Sequence, residues 1–163
     1  MTAATIPEGG VQPEPDAQRE GRTILVVGVD GSLPSWDAFA WAAGEARRSC
    51  GRVIAVFATP LVNLEGAIGV TGPVDYGAVE QARDEMTDEL AAEVGKRAGE
   101  LGVEVSFARE YGDSVQALTR IAHTAGADLI VVGRSKKTLH HLAGAVGRRL
   151  VLNRDSPVIV VVP

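Results

Sequence analysis

The sequence predicts a single α/β domain, an open five-stranded parallel sheet of order 3-2-1-4-5 with helices on both faces in a Rossmann-like layout. Three observations predict it. The runs "TILVVGVD" from Thr23 and "DLIVVG" from Asp128 are apolar without alternation, as strands buried on both faces are. Segments whose apolar residues recur every three or four positions stand between such runs. The resulting β-α-β-α-β-α-β-α-β alternation needs right-handed crossovers, which wrap a parallel sheet with helices.

The elements follow in order. The first strand is stopped by Asp30-Gly31-Ser32; Ser32 or Ser35 then caps a helix that carries Pro34 in its first turn and the stripe Phe39, Ala42, Ala43, Ala46. Arg52 to Ala58 reads as the second strand. A Gly/Pro-bearing loop from Thr59 to Pro73 leads into a long helix with Val79, Ala82, Met86, Leu90, Val94, Ala98 and Leu101 on its inner face. Glu93 and Arg97 form an i,i+4 pair on its wet side. In "VEVSFA", Val103, Val105 and Phe107 alternate with Glu104 and Ser106, a strand with one wetter face or an edge position. Asp113 caps a helix from Ser114, with Gln116 placed for a capping box and Val115, Leu118, Ile121 and Ala122 inward. "DLIVVG" is the fourth strand, Ala143 to Leu152 a helix, and "PVIVVV" the fifth strand.

Residues 1–21 are rich in Pro, Gly, Ala, Gln and Glu and carry a net charge of -3, so they read as a disordered tail before a domain spanning 22–163. A chain of 163 residues suits one such domain. The net charge of -5 and the 4% aromatic content argue against a nucleic-acid binder, which needs excess cations and stacking surfaces. No apolar run approaches the roughly 20 residues that span a bilayer, so no membrane partner is expected. The lone Cys50 forms no internal disulfide, and "MTAATIPEGG" lacks the features of a secretion signal; a cytoplasmic location is expected.

In an open sheet of this order, ligands settle outside the carboxyl ends of the first and fourth strands. Two turns, Asp30-Gly31-Ser32 and Gly133-Arg134-Ser135, are expected to meet there although they lie about 100 residues apart. Glycine lets backbone amides approach a phosphate, and the helix start near Gly144-Ala145-Val146 adds free amides. Arg134, Lys136, Lys137, Arg148 and Arg149 make the stretch locally cationic; alternatively Gly133 only turns the chain and the cations form a solvated face. Asp30 has two readings as well, a turn or capping residue and an acceptor for a ribose or an adenine amino group. His123 reads as a surface side chain, Cys50 as a passive thiol, and the adjacent His140 and His141 lack the Cys or carboxylate neighbours of a metal site. No nucleophile, base and orienter set suggests a hydrolase. "VGVDGSLP" supplies neither the Ser-Gly-Gly-type loop of an ATP-pyrophosphatase nor the His-x-Gly-His of a nucleotidylyltransferase.

With the turns placed, the chain from about Arg22 to Pro163 resembles the universal stress protein family, of the adenine nucleotide alpha hydrolase-like superfamily. The resemblance rests on "ILVVGVDGS" followed by Pro34, "YGDSVQAL", "ADLIVVGR", "GAVGRRLV" and "SPVIVVVP", in that order. It implies a regulatory stress-response protein, at most a slow hydrolase, binding ATP or another adenine nucleotide with or without Mg. By the same resemblance Asp30, with Gly31 and Ser32 in its turn, faces the adenosine, and Val29 and Ala58 border the adenine. Val132, Gly133, Arg134, Ser135, Gly144 and Val146 line ribose and phosphates. The family's nucleotide binders carry Gly-x2-Gly-x9-Gly-Ser/Thr after the fourth strand. Here Lys136 stands at the second glycine, Ala145 replaces the hydroxyl residue, and Gly133 to Gly144 spans two residues fewer. These departures keep open a second reading, a dimeric stress protein that binds no nucleotide and acts through protein partners. The fifth strand, Val158, Ile159, Val160, Val161 and Val162, is apolar throughout at an expected sheet edge. Homodimer pairing along it is the expectation, with cover by a helix or the tail as the alternative.

Overall fold

The structure is a computed structural model and describes residues 21–59, 76–134, 146–153 and 156–163. The tail, most of the loop after Thr59, and Ser135, Lys136, Lys137, His140, His141, Gly144 and Ala145 lie outside the described residues.

Strand β1 (Ile24–Gly28) buries its first four side chains completely, as its unbroken apolar run requires. Helix α1 (Leu33–Arg48) starts at Ser32, whose backbone is extended and whose hydroxyl accepts the Ser35 amide at 3.4 Å. Its stripe of Ala38, Phe39, Ala42, Ala43 and Ala46 is buried. Small residues there let the helix lie close on the sheet. Arg52–Thr59 forms β2, Tyr76–Leu101 forms α2, and Val105–Tyr111 forms β3. Helix α3 (Ser114–Ala125) is capped by Asp113 and closed by Gly126, whose φ of 61° is the left-handed conformation that a chain reversal needs there. Leu129–Gly133 forms β4, Val146–Val151 forms α4, and Val158–Val162 forms β5.

All four strand pairings are parallel, in the order β3-β2-β1-β4-β5. The expected topology is therefore present. One core layer joins Leu25, Val27, Phe39, Ala55 and Val131 to Leu90, Val94 and Ala98 of α2. The other joins Val26, Ile54, Ile130 and Leu118, Ile121 and Leu150 on the opposite face. Each fully buried Val, Leu or Ile contributes about 1.5–3 kcal/mol by leaving water, so the two faces hold the sheet from both sides.

Three element-level expectations change. In α2 the buried face runs through Thr87, Leu90, Val94 and Ala98, while the expected inner residues Ala82 and Met86 are exposed. Thr87 turns inward because its hydroxyl donates to the carbonyl of Arg83, so its polarity is satisfied within the helix. The third strand starts at Val105 rather than Val103. The expected 143–152 helix is described only as Val146–Val151. The Glu93–Arg97 pair forms at 2.6 Å, and Arg97 also stacks 4.2 Å from the Trp36 ring.

Candidate functional site: the crevice at the carboxyl ends of β1 and β4

Parallel pairing sets Val27 beside Val131, so β1 and β4 end next to one another. Helix α1 begins immediately over that boundary. A β-carbon on Gly133 would lie 2.0 Å from the Pro34 carbonyl oxygen and 2.3 Å from its carbon. Only glycine permits this approach. Gly133 is thus packed against the first turn of the helix that follows Asp30-Gly31-Ser32, and the glycine of β4 has a packing reason of its own.

The first turn is internally bonded. Asp30 Oδ1 accepts from the Ser32 hydroxyl at 2.6 Å and the Ser32 amide at 3.0 Å. The Asp30 amide donates to Ser35 Oγ at 3.3 Å, and that buried hydroxyl donates to the Ser32 carbonyl at 2.9 Å. Gly31 sits at φ 79°, a conformation that other residues adopt with strain. Partial burial pushes the Asp30 carboxyl up, but the Ser32 hydroxyl and amide, with Ser35 and the aspartate's own amide, together hold it below the usual carboxylate value. Asp30 is an ionised acceptor at neutral pH.

Around this turn Val29 is buried, its amide bonded to the Val56 carbonyl at 2.9 Å. Ala58 is half-buried and pairs with Glu110 of β3. Val132 is buried and pairs with Val161, and Gly133 pairs with Val162. The exposed Arg134 is tethered by its amide, which donates to the Val162 carbonyl at 2.8 Å. Val146 is half-buried at the start of α4 and packs against the second core. Gly147 behind it is buried, with space limited by Val161 and Val132.

Of the five expected cations, Lys136 and Lys137 lie outside the described residues, and one of the other three is already paired. Arg149 is committed to Asp113, with Nη1 on Oδ2 at 2.7 Å and Nη2 on Oδ1 at 3.0 Å. Sequence spacing missed this pair because its members are 36 positions apart on different helices. Asp113 Oδ1 also accepts the Val115 and Gln116 amides at the head of α3. Arg134 and Arg148 stay exposed. Among the described residues no group of three or more His, Cys, Asp or Glu side chains is placed to hold a metal ion, and no helix is long and apolar enough to cross a membrane.

Near the carboxyl ends of β1 and β4 the described residues therefore include an ionised acceptor, Asp30, and a glycine, Gly133, followed by the exposed Arg134. The model of the universal stress protein family matches residues 21–162. A universal stress protein of Methanocaldococcus jannaschii is 28% identical over 139 residues, covering 84% of this chain and 80% of that protein. A solved universal stress protein in complex with cAMP has a TM-score of 0.67 at 22% identity, covering 88% of this chain and 99% of its own. An Arabidopsis thaliana family protein with AMP bound has a TM-score of 0.60 at 17% identity, covering 86% and 92% respectively. At these identities the two structures attest the fold.

Proposed function

The chain belongs to the universal stress protein family, and from that premise we propose that it binds an adenine nucleotide, with ATP the favoured form, at the crevice between β1 and β4. The nucleotide acts as a regulatory ligand in a stress response, with hydrolysis slow at most. One observation supports the reading: Gly133 at the end of β4 packs against Pro34 at the head of α1, the helix that Ser32 of the ionised Asp30 turn caps, and the exposed Arg134 follows Gly133. Asp30 faces the adenosine hydroxyls or amino group, and Val29 and Ala58 border the base. Val132, Gly133, Arg134 and Val146, with Ser135, Lys136, Gly144 and Ala145, line ribose and phosphates. Mg accompanies the triphosphate through its phosphate oxygens. The protein works in the cytoplasm.

The working unit in this proposal is a homodimer paired along β5, the edge strand of the sheet. Val158 and Val161 are 64% and 44% exposed, and Val151 and Leu152 nearby are 64% and 72% exposed. An apolar edge of this kind is a template for a second strand.

A second reading has its own support. Asp30 is already bonded to Ser32, and Gly133 is required by Pro34, so the fold alone accounts for both residues. On this reading the protein is a dimer that binds no nucleotide and acts through protein partners. Calorimetric titration with Mg-ATP, and with AMP to isolate phosphate dependence, decides between them. Saturable ATP binding well below millimolar supports the first. Absence of heat with both nucleotides overturns it.

A further inference from the structure

Three buried polar atoms have no hydrogen-bond partner at the carboxyl-terminal corner of β2 and β3: Thr59 Oγ1, Arg109 Nε and Arg109 Nη2. Thr59 is only 4% exposed, and the Arg109 side chain is 21% exposed. Register places Thr59 beside Tyr111 and Phe57 beside Arg109. Side chains alternate along a strand, so Thr59, Arg109 and Tyr111 share the face covered by α2. The guanidinium reaches along β3 toward the Thr59–Tyr111 pair, with its carbon 4.8 Å from the Tyr111 ring centroid. Its third nitrogen, Nη1, donates to Asp84 on α2. The Nε and Nη2 edge is left over.

Burying donors without acceptors is costly, and such atoms are rare in folded proteins unless a bound group meets them. Ser106 Oγ, also unpartnered, falls on the opposite face of β3 and does not join the cluster. The Nε and Nη2 hydrogens of an arginine point in parallel at the spacing of the two oxygens of a carboxylate. We propose that this corner is a carboxylate-binding subsite. Arg109 grips the carboxylate through Nε and Nη2, and the Thr59 hydroxyl donates a third hydrogen bond. The donors are buried on a side chain that is itself 21% exposed, so in this proposal a swing of the guanidinium admits the ligand.

Charge selects the class. Asp84 already holds one side of the guanidinium, and Glu80, one turn earlier on α2, adds a second negative field. A phosphate dianion entering there meets more repulsion than a single carboxylate does. The subsite is independent of a nucleotide beside Asp30, because neither Thr59 nor Arg109 takes part in the Asp30 turn.

The test is an NMR titration of the full ¹⁵N-labelled chain at neutral pH. Sodium acetate is compared with sodium phosphate and sodium chloride at equal ionic strength, following the Arg109 Nε–H signal and that of the Gly112 amide, which donates to the Thr59 carbonyl at 2.9 Å. Saturable shifts with acetate alone are expected. The Gly112 response should weaken roughly tenfold or more in Arg109→Lys, which keeps the charge but loses the fork, and should fall in Thr59→Val. Asp30→Ala should leave it unchanged. No saturable acetate shift, an equal shift with chloride or phosphate, or an undiminished response in Thr59→Val overturns the proposal, and Thr59→Val decides the matter if the arginine variant fails to fold.

Discussion

Gly133 lies so close beneath Pro34 that a single added carbon would stand 2.0 Å from the proline's carbonyl oxygen. Backbone cannot retreat as a flexible side chain does. Gly133→Ala should therefore lower the stability of the fold by about 1–3 kcal/mol or more, through displacement of α1 from the end of β4. Chemical denaturation of the two proteins measures it. An unchanged midpoint with an unchanged slope would show that α1 shifts at little cost. Because the substitution disturbs packing, any loss of ligand affinity it causes is not by itself evidence of phosphate contact.

That packing role of Gly133 marks how far the sequence alone could be read. The buried central strands were legible because parallel strands such as Ile24–Gly28 leave unbroken apolar runs, whereas such runs do not fix the order in which the strands pair. Helix caps at Ser32 and Asp113 were legible because they act within three residues. The inner face of α2 was misjudged at Met86, since a hydroxyl that bonds its own helix lets Thr87 take the buried place. Long-range pairings left no trace at all. Nothing in the spacing tells that Arg149 seeks Asp113, or that Thr59 and Arg109 share a corner, because only the register of β2 on β3 and the docking of α4 on α3 create those neighbours.

The Asp30 carboxylate should stabilise the fold in a pH-dependent way. Its folded pKa is depressed below the ordinary carboxylate value because the Ser32 and Ser35 hydrogen bonds outweigh partial burial. A depressed pKa means that the contribution is fully present above the unfolded value, about 4, and is lost as the pH falls through the folded one. Asp30→Asn should be less stable than the parent at pH 7, with the difference shrinking at progressively lower pH below about 4. Urea midpoints across that range give the answer. A constant difference would mean that the carboxylate's charge does not contribute.

Asp113 caps α3 and also grips Arg149 on α4, so its removal should cost more than the loss of a cap alone. Asp113→Ala should destabilise by about 1 kcal/mol through the cap, with a further loss through the ion pair. Arg149 first, by hydrogen bonding, and then the Gln116 and Val115 amides hold the Asp113 carboxyl below its usual value against slight burial. Its contribution is therefore also present above about pH 4 and is lost below it as the carboxyl protonates. A double-mutant cycle with Arg149→Gln isolates the pair; additivity of the two single variants would show that no coupling exists.

A dimer along β5 predicts sensitivity at side chains that do not hold the monomer together. Val158 is 64% exposed, so Val158→Lys should leave the monomer folded while placing two cations at an apolar interface. Light scattering should then report monomers where the parent is dimeric. A variant that remains dimeric would move the interface elsewhere.

Arg134 is the sharpest discriminator between a site that reads phosphates and one that holds only an adenosine. Its backbone is fixed by the Val162 carbonyl at 2.8 Å, which anchors the residue at the end of β4 while leaving its side chain exposed. Arg149, by contrast, is already paired with Asp113. If the phosphates run toward the β4 turn, Arg134→Gln should weaken ATP roughly tenfold through one lost charge-assisted contact, and AMP by less. Arg149→Gln should leave the ratio of ATP to AMP affinity unchanged. Calorimetry on both variants reads the two ratios directly. Equal losses of ATP and AMP in Arg134→Gln would place the residue beside the nucleoside instead, and a changed ratio in Arg149→Gln would mean that ligand draws this arginine away from Asp113.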